Sequence, residues 1–124
     1  MSATLEGGDE LKRALAELAG KAETRLRDTI NAAGLTLRGD IVNQIQRGGR
    51  SGITYILSNP TRTHQASAPG EPPATDTGRL ANGVLFRKIG PLTVEVYSAV
   101  EYGPYLEFGT AQILPRPAWV PAIE

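Results

Sequence analysis

All nine prolines of this 124-residue chain lie at or after Pro60, and the first 59 residues hold none. Proline removes a backbone donor and clashes with the preceding helical turn, so its distribution sets where a long helix can run. The chain therefore divides into a helical first third and an irregular, strand-bearing remainder. Within the first part, apolar residues recur three or four apart: Leu11, Leu15, Leu18, Ala22, Leu26, Ile30, Ala33, Leu37, Ile41 and Ile45. Lys12, Arg13, Glu17, Lys21, Glu23, Arg27 and Asp28 fill the other face, which is the pattern of one amphipathic helix. Asp9 is placed to cap its start, and Gly48-Gly49 to stop it. An unbroken helix of that length spans roughly 55 Å at ~1.5 Å per residue, more than one small domain covers. Either the helix breaks near Gly34, or part of its stripe is buried on another subunit.

Residues 53–57 form a short β-branched and aromatic run closed by Asn59-Pro60, hence a strand. Residues 61–75 carry Pro69, Gly70, Pro72 and Pro73 among small polar residues, and are expected to form an extended, protruding loop. Asp76 or Thr77 then caps a short helix through Leu80 and Asn82. Residues 84–89 and 92–100 flank Gly90-Pro91 as an antiparallel hairpin, with Leu92, Val94 and Val96 inward and Thr93, Glu95 and Tyr97 outward. The expectation is a single α+β domain over 1–124: a flexible stretch at 1–8, then a long helix on a small antiparallel sheet.

Charge balances at 13 basic and 13 acidic residues, which gives no general attraction to DNA or an anionic membrane. Its distribution is uneven: residues 41–70 carry Arg47, Arg50 and Arg62 with no acid, while residues 71–124 are net acidic. Absence of cysteine removes disulfides and thiolate chemistry and fits a reducing compartment. No apolar run is long enough for a signal peptide or membrane span, so a soluble protein without a membrane partner is expected.

Catalytic readings are few. Asp76-Thr77-Gly78 matches the triplet that supplies the shared carboxylates of dimeric aspartic proteases, but it follows Pro72-Pro73-Ala74-Thr75 and precedes Arg79-Leu80, a helix-start context rather than a loop between apolar strands. A homodimeric protease is the alternative from another class, and a non-catalytic adaptor pairing through its helix is a third. His64 has no second histidine, cysteine or spaced carboxylates and reads as a solvated loop residue, so no metal or cofactor is expected. Glu101 and Glu107 are expected to pair with Arg79, Arg87 or Arg116 at a subunit boundary. No catalytic residues are assigned.

The last quarter, residues 102–110 followed by Pro115-Arg116-Pro117 and Pro121-Ala122, is dense in aromatics, glycines and prolines. Such segments make rigid docking shapes, with aromatic contact area at low entropy cost. Tyr102, Tyr105, Phe108 and Trp119 are expected to form one cluster, with Trp119 either core or interface.

Together, residues 66–74 (ASAPGEPPA), 76–80 (DTGRL), Tyr105-Leu106-Glu107-Phe108-Gly109-Thr110 and Arg116-Pro117 with Pro121-Ala122 resemble, in order, the blocks of the HK97 gp10-like family of tailed-phage head–tail connector and tail-completion proteins. The chain departs from the family pattern at Gly103-Pro104, Pro115 and Ala118-Trp119. The resemblance implies a non-catalytic virion protein of the neck or tail, assembled in the host bacterial cytoplasm. It implies a closed ring of six or twelve copies around the DNA channel, beside head-closure, adaptor, tail-tube or terminator proteins. DNA would pass through without sequence-specific contacts. The interface residues expected on this basis and from their chemistry are Arg47, Arg50, Arg62, Pro69, Glu71, Pro72, Tyr102, Tyr105, Glu107, Phe108, Arg116 and Trp119.

Overall fold

The computed structural model describes residues 1–124. Helix α1 (Gly8–Gln46) runs unbroken for 39 residues. Of the two alternatives, the break near Gly34 is absent, for a reason visible at that residue. Gly34 is buried where β3 and β4 cross the helix, and a Cβ there would lie 2.7 Å from the Phe86 ring and 2.8 Å from Val94 Cγ2. The glycine admits the sheet rather than ending the helix. Asp9 is not the N-cap: Gly7, in the left-handed region, precedes the helix, and Asp9 and Glu10 sit in its first turn, where the helix dipole favours acids. The end falls at Arg47, one residue before the glycine pair.

Strands β1 (Thr54–Ser58) and β2 (Thr61–Gln65) pair antiparallel across Asn59-Pro60, with Tyr55 opposite His64 and Leu57 opposite Arg62. Residues 61–65, expected to open the loop, are therefore a strand, because their Thr-Arg-Thr-His-Gln alternation satisfies the edge left by β1. The proline-bearing remainder turns back onto the end of α1. Pro73 is buried with its carbonyl against Gly48, and Glu71 lies against Gly49. Glu71 also accepts from Ser51 Oγ (2.5 Å) and from the Ala68 amide (2.9 Å).

A second hairpin, β3 (Val84–Gly90) with β4 (Thr93–Ser98), lies on the C-terminal half of α1. Val94 and Val96 face the helix, as their alternation requires, while Arg87, Glu95 and Tyr97 pair on the outer face (Arg87 Nε to Glu95 Oε2, 2.5 Å; guanidinium 4.7 Å from the Tyr97 ring centre). Leu92, expected inward, lies past the pairing and is exposed. Short helices α2 (Arg79–Asn82), α3 (Gly103–Phe108) and α4 (Val120–Ile123) close the body. The core is Ile41, Ile45, Ala81, Val84 and Ala118, flanked by Leu37, Val96 and half-buried Trp119. Only 12 of 124 residues are buried, a small core for the length.

Candidate functional site

The sequence stripe along α1 meets two different fates. Its C-terminal half, from Leu37 through Ile41 to Ile45, enters the core. The residues from 8 to 29 are all exposed, and Leu11, Leu15, Leu18 and Leu26 keep between 49% and 64% of their surface in solvent. These 22 residues form an arm about 33 Å long at 1.5 Å per residue. The arm is a well-formed helix, not a frayed one, because it continues a helix already nucleated in the core. Ala14, Ala16, Ala19 and Ala22 carry high helical propensity. Exposed pairs Glu17–Lys21 (2.8 Å) and Glu23–Arg27 (2.9 Å) at i,i+4 spacing add a few tenths of a kcal/mol each. What the arm lacks is a partner for its leucines.

At the other end of the chain, α3 carries its polarity inside out. Gly103 and Glu107 are buried, whereas Tyr102, Tyr105 and Phe108 are exposed, Phe108 by 75%. The Glu107 carboxylate turns inward to accept from three successive backbone amides, Ala118 (2.8 Å), Trp119 (3.1 Å) and Val120 (2.9 Å). This holds the returning C-terminal segment onto α3. It replaces the expected pairing of Glu107 with an arginine. Gly109, at φ 76°, permits the reversal after Phe108.

The four aromatics accordingly do not form one cluster. Phe108 and Trp119, with Tyr97, Pro104, Val120 and Ile123, line an apolar groove of about 380 Å³. Tyr102 instead borders a separate recess with Arg116 and His64. Trp119 packs one part on the core and gives another to the groove, so it is both lid and lining.

Asp76 does not cap α2, whose N-cap is Gly78 at φ 77°. Its carboxylate is gripped by both terminal nitrogens of Arg62 and lies 3.7 Å from His64 Nδ1. His64 is thus a half-buried strand residue beside a carboxylate, not a solvated loop histidine. The Arg62 hydrogen bonds hold the Asp76 carboxyl below its ordinary range, and Asp76 in turn raises Arg62. A carboxylate fixed in its ionised form by its own arginine is unsuited to share a proton with a second aspartate, as the protease reading requires.

The remaining expected interface residues are scattered. Arg47 stands by Asp40 and Pro121, Arg50 by Arg62 and Thr75, and Pro69 is exposed, whereas Glu71 and Pro72 fold against the end of α1. No group of three His, Cys, Asp or Glu side chains is placed to hold a metal, and no helix is long and apolar enough to cross a membrane.

Glu71 is likewise held below its ordinary value, first by Ser51 and then by the Ala68 amide. Depressed carboxyls stabilise the fold fully above their ordinary values, 4.5 for Glu71 and 3.8 for Asp76, and lose that contribution as pH falls below those values and through the lower ones they hold in the fold. Acidification below pH 4.5 is therefore expected to loosen β1, β2 and the 66–76 segment before the β3–β4 hairpin. Amide NMR spectra across that titration check this; simultaneous loss of both hairpins would contradict it.

A family model described as "Bacteriophage HK97-gp10, putative tail-component" matches residues 2–109, most of the chain including the arm, both hairpins and α3. The chain belongs to the HK97-gp10-like family. This family is one of structural phage tail components, so the chain is a virion protein that contacts other virion proteins. No curated protein and no solved structure matches the chain. The match ends at Gly109, before the segment that Glu107 clamps.

Proposed function

We propose that this member of the HK97-gp10-like family is a ring-forming protein of the phage neck, completing or terminating the tail where it joins the head around the DNA channel. The observation that carries the reading is the arm: a helix of 22 exposed residues with a leucine stripe that nothing in its own chain covers. A closed ring needs a heterologous interface, in which each subunit offers two different, complementary surfaces. This chain has such a pair in the arm's leucines and the apolar groove beside Phe108 and Trp119. In the proposed ring the arm of one copy lies in the groove of the next, and exposed Tyr105 and Phe108 flank it. Six or twelve copies would close around the channel, with adaptor or head-closure proteins on one side and tail-tube or terminator proteins on the other. Neutral overall charge suits a channel wall along which DNA slides without sequence-specific contacts. No catalytic step belongs to this role.

Electron cryomicroscopy of intact particles tests the proposal. The expected result is a closed ring of this chain on the channel axis at the head–tail junction. Isolated copies, or density off that axis, would overturn it.

A further inference from the structure

Between β2, the 73–80 segment and the returning C-terminal segment lies a recess of about 280 Å³, separate from the apolar groove. Arg79 and Arg116 line it, and neither has an acidic partner within the chain. The single acid in its wall, Asp76, is already neutralised by Arg62. The adjoining recess, which shares His64, Thr75 and Asp76, adds Arg50 and Arg62. Four arginines thus surround one aspartate in a chain of zero net charge. Two polar atoms here are buried without any partner: Arg116 Nε, a donor, and Thr75 Oγ1. A buried donor left without an acceptor is costly and uncommon in a finished structure.

We infer that this recess is a carboxylate-binding site that takes an acidic side chain of a neighbouring polypeptide. A carboxylate accepts from the guanidinium groups of Arg116 and Arg79, which line the recess without an acidic partner, and a small opening of the wall lets it reach the unpaired Arg116 Nε and Thr75 Oγ1 as well. The planar guanidinium fork matches a carboxylate in two-point contact. The volume admits one side chain. DNA phosphate is the poorer occupant, because a duplex backbone meets protruding cations whereas Arg116 is a half-buried side chain in the wall of a concavity. The inference rests on the assembly reading only for the source of the carboxylate, and the test below is done on the isolated chain, so the two stand or fall separately.

The probe is N-acetyl-glutamate N-methylamide, titrated into the labelled protein while the Arg116 Nε–H and Thr75 amide NMR signals are followed. The expected result is a saturable shift at both, absent with the glutamine counterpart. Binding should weaken at least tenfold in Arg116→Gln and several-fold in Arg79→Gln, whose exposed side chain leaves the fold intact should the first variant not fold. No saturable shift, an equal shift with the glutamine counterpart, or tighter binding of inorganic phosphate or a short DNA duplex would each overturn it.

Discussion

Replacing Leu15 and Leu18 together with glutamate is expected to abolish ring assembly and the joining of heads to tails, while leaving the unfolding of the dilute monomer unchanged. Both side chains are more than half exposed and lie outside the core cluster, so the monomer loses little packing. Glutamate is as good a helix former as leucine, so the arm stays helical. In the assembly the change is severe. Two leucines buried in a neighbour's groove contribute about 3–6 kcal/mol, and introducing charge there adds desolvation, so affinity should fall by at least two to four decades. Replacing Glu17 and Lys21, on the charged face, with glutamine should have little effect. Complementation of a phage lacking the protein, beside thermal melts of the purified variants, measures both sides. Normal particles from the double glutamate variant would show that the arm is not the contact.

The largest effect on the fold itself is expected from Glu107→Ala. Its carboxylate serves three amides, and the Ala118 end of that set is in the core. Hydrogen bonds to a charged acceptor contribute about 1.5–3 kcal/mol each, and their buried donors would be left unpaired. A loss of about 3–5 kcal/mol is a large part of the total for a domain of this size and lowers the melting temperature by about 12–20 °C. Glu107→Gln keeps one acceptor oxygen but turns an NH₂ toward donors, and should fall between the two. Circular dichroism melts decide it; a Glu107→Ala protein melting within about 2 °C of the parent would mean the clamp is dispensable.

Local rules recovered most of the elements, because the helix stripe, the β-branched runs and the Gly-Pro turn each act over a few residues. The α+β class and the family follow from those same blocks. What escaped was set by distant partners. Asp76 has the right neighbours for a cap, yet Arg62 on β2 takes its carboxylate across 14 residues. Glu107 looked like a surface acid because nothing in its own turn announces amides arriving from 118–120. Gly34 looked like a helix breaker since a propensity argument cannot see Phe86 and Val94 pressing on that spot. The leucine stripe was legible throughout; that its first half stays bare required knowing how little body there is to cover it.

The continuity of α1 through Gly34 also sets an angular phase. Because the same rigid helix is seated in the core at Ile41 and Ile45 and carries Leu11 to Leu26 beyond it, the azimuth of the leucines is dictated by the seat. One residue inserted between Asp28 and Ile30 would swing the whole stripe by about 100° and lengthen the reach by only 1.5 Å. Seven residues inserted there would restore its bearing to within about 20° while moving it outward by about 10 Å. The arm therefore behaves as a keyed spoke, in which register within one subunit governs the aim of its contact with the next.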